Sequence, residues 1–323
     1  MDQKKTHFDE IDIAKGIGIC FVVFGHALKQ IEVESSVIAA MLLVIHSFHM
    51  PLFFMLSGFV SAKLLRMERE DRPGYVKARA SRLLTPYFVM SLLYLPLKMA
   101  LSSVALRPYD LSSAWRILIG QSPDTTIWYL YILFWCHIVS VTIVRKNNLP
   151  WVLAAAFVVS AAAHIFAWPL KLPGYFVFFV LGLFIREHYD TFLSLFRGKY
   201  VALAAVCFIG IQIASLTSGK NLSFPVAPLS GTFLVWFISR RIAGKETVSK
   251  KTWTRLGSMS MDIYVLSDPI MICLRIVLST ILGLSLPVCI ALFFVLSIAL
   301  AYLASTLVIR KSRILRFLFL GMH

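Results

Sequence analysis

The stretch from Asp12 to Leu28 reads DIAKGIGICFVVFGHAL, an apolar run holding one lysine and one histidine, with Asp9 and Glu10 just upstream. As a helix rising about 1.5 Å per residue, it and its neighbours reach across a hydrocarbon core of about 30 Å. Lys15 and His26 are eleven residues apart. At about 100° per residue they fall on one helix face, about 20° out of line and roughly 16 Å apart. An ionisable side chain inside a span is costly and by default faces the protein interior. Gly16, Gly18 and Gly25 leave room for another helix or an extended ligand against this backbone. Asp12, one turn before Lys15, is placed to pair with it. A snorkelling lysine beside a structural histidine is the plainer alternative that periodicity leaves open.

The rest of the chain agrees with a membrane reading. Of 323 residues, 59% are hydrophobic, 13% aromatic and only 15% charged, and the mean hydropathy is +0.78. A soluble domain carries about 25% charged residues, so a water-soluble globule is excluded. Apolar runs bounded by charges or turn residues fall at 13–31, 37–62, 83–106, 126–144, 150–168, 174–186, 200–217, 224–239, 257–278 and 287–309. The fold class expected is therefore all-α, a polytopic membrane protein of about ten spans. The sixth and eighth runs are short, and Gly174, Pro225 and Pro228 are read as marking broken or re-entrant helices. Lys15 lies inside the first run and no small-x-small cleavage site follows, so that run is expected to be a retained span. One integral domain over residues 1–323 is expected. The five cysteines sit in apolar runs without regular spacing and are read as packing or lipid-facing residues.

Basic residues set the orientation. Of the 32 Lys and Arg, 24 fall in alternate loops on the side of the N-terminus, beginning with Lys4 and Lys5. Five, Lys29, Arg107, Arg116, Lys171 and Lys220, fall on the other side. Both termini are thus expected in the cytosol. The formal net charge of +16 then reflects this collar and gives no reason to expect nucleic acid.

Further candidates lie along the second, third, fourth, fifth and ninth runs. The segment IHSFHMPLFFMLSGF, residues 45–59, places His46 and His49 one turn apart, with Pro51 expected to kink the helix and Ser57 and Gly58 permitting close packing. No acidic or cysteine partner of matching spacing is evident, so the two histidines are read as lining a polar cavity or bonding across helices, with no metal expected. In VKARASRLLTPYF, residues 76–88, Arg79 and Arg82 point the same way, and paired guanidiniums suit phosphate oxygens. A positive-inside anchor is the alternative. Trp128 and Tyr129 read as an interfacial belt, and His137 and His164 as satisfied interior histidines. Asp262, Asp268 and Arg275 stand in or near the membrane within MDIYVLSDPIMICLR. Two helical turns separate Asp268 from Arg275, so their partners are expected on other spans.

Taken together, these segments resemble the membrane acyltransferase-3 family, in particular its fucose 4-O-acetylase-like branch. The resemblance rests on FDEIDIAKGIGICFVVFGHAL, where Lys15 and His26 fit a basic-x10-His pattern, on SFHMPLFFMLSGF, and on Arg79-Ala80-Ser81-Arg82 fitting an RxxR pattern. IWYLYILFW and LGSMSMDIYVLSDP are weaker echoes. The chain departs from the family at Ser267-Asp268, where many relatives carry a histidine.

The resemblance implies a multi-pass protein of a bacterial inner membrane that transfers an acyl group from an acyl-CoA donor to a hydroxyl of a cell-envelope or exported carbohydrate or glycolipid. Acetyl-CoA would be the donor substrate, with no permanently bound cofactor. On that reading His26 is the general base and Lys15 its catalytic partner, Arg79 and Arg82 bind the donor, and Asp12, His46, His49, Ser57 and Asp268 are cavity candidates. Two alternatives stay open: the same scaffold using another acyl group such as succinyl, and a transporter or flippase for an anionic glycan-linked lipid. No inverted repeat is evident, which weighs against transport.

Overall fold

The computed structural model describes residues 8–30, 35–100, 111–123 and 126–322. Lys4, Lys5, Arg107 and the far end of the third apolar run lie outside them. The described residues form helices and no strand. In chain order these are α1 (Asp9–Lys29), α2 (Ser36–Val60), α3 (Arg72–Ala100), α4 (Trp128–Ile143), α5 (Leu149–Ile165), α6 (Lys171–Glu187), α7 (Tyr189–Ser194), α8 (Gly198–Ser218), α9 (Val226–Ala243), α10 (Val248–Ser258), α11 (Ser260–Arg275), α12 (Leu286–Leu307) and α13 (Arg313–Leu320). Among the described residues, four helices are long and apolar enough to cross a membrane: Asp9–Lys29, Ser36–Val60, Gly198–Ser218 and Leu286–Lys311, the last continuing α12 through a short 3-10 turn.

Several boundaries depart from the sequence reading. Helix α3 begins at Arg72, eleven residues before the third apolar run, so the Arg79/Arg82 pair sits within a helix that extends past the apolar stretch. The ninth run is divided between α10 and α11, with a break at Met259. Helix α6 runs unbroken through Gly174, and α9 starts after Pro225 and continues through Pro228. Both helices are therefore continuous, contrary to the expected breaks. The reason is position: Pro173 and Pro228 occupy first turns, where the missing N–H would have had no intrahelical partner.

Helix α1 is the central element. It packs against α2, α9, α10, α11 and α12, and 61% of its apolar window is buried, against 11% for α8 at the periphery. Its first turn carries Asp9, Glu10 and Asp12 and its last turn His26 and Lys29, which matches the helix dipole at both ends. Two crossings are backbone-close. A Cβ on Gly257 would lie 1.6 Å from the Asp12 carbonyl oxygen, and one on Gly16 would lie 2.5 Å from that of Trp253, so α1 and α10 touch through their main chains. On α2 and α6, a Cβ on Gly58 would meet the Phe179 oxygen at 2.0 Å and one on Gly182 the Met55 oxygen at 2.0 Å. Helices α4 and α5 pack on α6, α8 on α9, and α3 on α4 and α13.

Ion pairs join one set of helix ends. Arg66 holds Glu187 with two bonds of 2.8 and 2.7 Å, and Lys146 stands 3.6 Å from the same carboxylate. Arg240 lies 3.5 Å from Glu10, which also accepts a hydrogen bond from Tyr189, and Lys250 lies 2.9 Å from Asp9. The start of α1 and the ends of α2, α4, α6 and α9 thus meet in one layer.

Because the obstacles at Gly257 and Gly58 are backbone atoms, a methyl group there forces the helices apart. Gly257→Ala and Gly58→Ala are each expected to lower stability by about 1–3 kcal/mol. Gly210→Ala, where nothing lies within 4 Å, should leave it unchanged or slightly higher. Thermal unfolding of the purified protein in detergent separates the two outcomes.

Candidate active site

Helices α1 and α2 form an antiparallel pair, and His26 and His46 lie ten residues either side of Ser36. Gly18 stands against Leu52 and Phe53, and Gly25 against Ile45 and His46, and this register brings the two imidazoles together. A Cβ on Gly25 would be 3.4 Å from Ile45 Cγ2 and 3.8 Å from His46 Nε2. The His46 and His49 rings are 5.4 Å apart between centroids. His26, His46, His49 and Lys29 all lie within electrostatic reach of one another. The His49 Nδ1–H donates to the Ile45 carbonyl at 2.6 Å, an intrahelical bond rather than the cross-helix bond considered from sequence. The His26 Nδ1 is buried and has no hydrogen-bond partner among the described residues. A buried polar atom left in that state is uncommon and costly. Among the described residues no group of three His, Cys, Asp or Glu side chains has the geometry to hold a metal ion.

The other candidates divide by helix. Lys15 Nζ lies 3.1 Å from Asp12 Oδ1, the pairing their spacing predicted. Ser57 Oγ and the Tyr129 hydroxyl share a hydrogen bond of 2.9 Å that ties α2 to α4. Tyr129 is buried, so it belongs to the interior and not to an interfacial belt. Hydropathy places an aromatic at a span end but cannot show which way it turns. Trp128 is half-buried, and Lys171 Nζ stands 3.9 Å from its ring centroid. His137 is interior and satisfied, its Nδ1 sharing a 2.8 Å hydrogen bond with the Tyr75 hydroxyl. His164 is exposed and stacks on Phe224 with centroids 4.5 Å apart, which corrects its reading as an interior residue.

Both acids of the ninth run find partners on other helices. Asp268 on α11 accepts a 2.9 Å hydrogen bond from the Tyr94 hydroxyl of α3. Asp262, fully buried, receives two bonds from Arg310, at 2.8 Å from Nε and 3.1 Å from Nη2. The Ser305 hydroxyl donates to the same carboxylate. Sequence reading counted Arg310 as one collar charge among many, and the only clue to its role was an unpaired acid at the start of the ninth run.

The guanidinium of Arg79 lies 4.9 Å from the Tyr75 ring centroid. Arg82 Nη1 donates to the Leu320 carbonyl at 2.5 Å. Lys15 and His26 thus sit on α1, and Arg79 and Arg82 on α3. Helix α11 connects the two, packing on α1 and bonding to α3 through Asp268 and Tyr94. A separate cavity of about 320 Å³ lies between α2, α6 and α9, lined by Met55, Leu181, Phe184, Leu229 and Trp236. It is apolar and contains none of the candidate residues.

A histidine with an open ring nitrogen on the most enclosed helix, and guanidiniums gathered beside a second, are groups suited to membrane-embedded group transfer. The chain belongs to the acyltransferase-3 family: the profile of its acyltransferase domain matches residues 8–306. Over 217 residues the chain is 29% identical to Nodulation protein NolL of Sinorhizobium fredii, covering 61% of this chain and 56% of that protein. Over 213 residues it is 26% identical to Nodulation protein NolL of Mesorhizobium japonicum, covering 62% of this chain and 55% of that one. The chain spans about half the length of the curated relatives it matches. No solved structure matches it.

Removing Arg310 alone leaves the Asp262 carboxylate buried without its cation. Arg310→Gln is therefore expected to destabilise the protein by about 3 kcal/mol or more. The double variant Asp262→Asn/Arg310→Gln, which removes both charges, should recover most of that loss in a thermal unfolding measurement.

Proposed function

We infer that this protein is a membrane O-acyltransferase that moves an acetyl group from acetyl-CoA to a hydroxyl of a cell-envelope or exported carbohydrate, with His26 as general base. The observation that carries this reading is the unpartnered, buried His26 Nδ1 on the central helix, in a chain of the acyltransferase-3 family. A neutral imidazole with a free nitrogen accepts the acceptor's hydroxyl proton as the oxygen attacks the thioester carbonyl. The tetrahedral adduct then collapses, the carbon–sulfur bond breaks, and the departing thiolate of CoA takes up the proton. His46 and His49 border the base, where they can hydrogen-bond the acceptor. Arg79 and Arg82 bind donor phosphates. Lys15, held by Asp12, supplies a positive charge on the same helix.

In this reading the whole chain is one integral domain of about ten spans in a bacterial inner membrane, with both termini in the cytosol. Support comes from the 24 basic residues on alternate loops and from the ion-pair layer, which gathers helix ends all assigned to that side. The donor is made in the cytosol, and the arginines lie at that same end.

His26→Ala should fold and insert normally while acetyl transfer falls by at least about a hundredfold. The assay is release of CoA from acetyl-CoA in the presence of a panel of glycans, and wild-type activity in that variant would overturn the assignment. For topology, single cysteines replace Lys220 and Lys245 in a chain whose five native cysteines are removed. An impermeant maleimide added to intact cells should label the first and spare the second.

A further inference from the structure

Two lysines meet at the end of the molecule whose loops hold only five of the 32 basic residues. Lys29 ends α1 and Lys171 begins α6, so they come from separate loops. They lie within electrostatic reach of each other, and Lys29 lies within reach of His26, His46 and His49. Ring contacts fix the level of this meeting. Phe54 stacks on Tyr175 with centroids 4.9 Å apart. One turn further along both helices, a Cβ on Gly58 would strike the Phe179 oxygen, so α2 and α6 run parallel. One turn back, the same register sets Lys171 level with Met50, next to His49. Trp128, the first residue of α4, has its ring centroid 5.1 Å from that of Tyr175 and 3.9 Å from the Lys171 ammonium. Lys171 and His46 are exposed. Among the described residues the Lys171 ammonium has no carboxylate partner and the Tyr175 hydroxyl no hydrogen bond.

The bias that gathers Lys and Arg in cytoplasmic loops clears them from the opposite ones, so two lysines converging there beside His26 call for a local reason. An aromatic face holds an ammonium in place without neutralising it. Lys171 so held is a compact charge with free donors, which suits a carboxylate or a phosphate. Repulsion between neighbouring ammonium groups is relieved when an anion lies between them. Lys15 and the donor end lie at the other end of α1, which leaves this end to the acceptor. We propose that Lys171, seated on Trp128, and Lys29 form an acceptor subsite for an acidic carbohydrate, gripping its carboxylate or phosphate while a neighbouring sugar hydroxyl faces His26. The Tyr175 hydroxyl is open to a second sugar hydroxyl. This rests on the reading given under Proposed function and adds one property to it, the charge of the acceptor.

The test takes the full-length protein in phosphatidylcholine nanodiscs and two matched pairs of sugars, oligogalacturonate with its methyl ester and phosphopentamannose with pentamannose. By calorimetry the wild type is expected to bind an acidic member about tenfold or more tighter than its neutral twin, a preference that shrinks as salt is raised. Lys171→Gln should abolish the preference while affinity for the neutral sugar changes by less than about twofold. Lys171→Arg, which keeps the charge and the ring contact, should retain most of it. Lys220→Gln, an exposed change beyond the end of α8, should leave it intact. In the CoA-release assay Lys171→Gln is expected to raise KM for the acidic acceptor about tenfold, with kcat held within about twofold. A fall in kcat with acidic and neutral acceptors alike would place Lys171 in the chemical step and overturn the subsite. A wild type that prefers neither acidic sugar, while neutral sugars still stimulate CoA release, removes the subsite and leaves the acyltransferase. An acidic preference that requires Lys171, with no sugar stimulating CoA release, would instead overturn the acyltransferase reading and leave the anion subsite standing.

Discussion

In a bilayer an apolar side chain gains little by leaving lipid for protein, so helices associate where their surfaces fit most closely. Here that constraint is met by four glycines. Gly16 and Gly257 let α1 and α10 touch main chain to main chain, and Gly58 and Gly182 do the same for α2 and α6. Through the first contact the central helix is tied to α10 and so to α11, which bears Asp262 and Asp268. Through the second, α2 is fixed against α6, and α2 presents His46 and His49 to His26. The positions of the candidate catalytic groups thus follow from where the backbone lacks a side chain.

Polar contacts refine what those crossings set. The Ser57–Tyr129 bond adds α4 to the α2/α6 pair, and Tyr94 to Asp268 draws α3 against α11. At the other level, the ion pairs of Glu10, Glu187 and Asp9 lock a layer of helix ends. Exposed pairs are individually weak, yet a layer of them restricts which ends can lie together.

Much of the helical layout could be read from the sequence, because hydropathy and the 3.6-residue period act locally. The Asp12–Lys15 pair and the need for partners of Asp262 and Asp268 on other helices were legible for the same reason: a charge in an apolar run states its own requirement. The start of α3 was not, since Arg72 to Arg82 are too polar to register as a span although they continue the same helix. Tyr129 and His164 were misjudged because hydropathy reports depth along a helix and is blind to which face a side chain takes. The role of Arg310 as more than an orienting charge depends on its bonds to Asp262, 48 positions away, which no local pattern encodes.

The hydrogen bond from Arg82 to Leu320 joins residues 238 positions apart. At roughly 5 to 20 residues per second on the ribosome, about 12 to 48 seconds separate the synthesis of its two ends. During that interval α3 is in place while the partner that orients its arginine does not exist. The basic end of the molecule is therefore assembled last, and a nascent chain that already contains every histidine of the candidate site still lacks the contact that fixes Arg82. Closure of this end is a late event in biogenesis, after the other helices have been made.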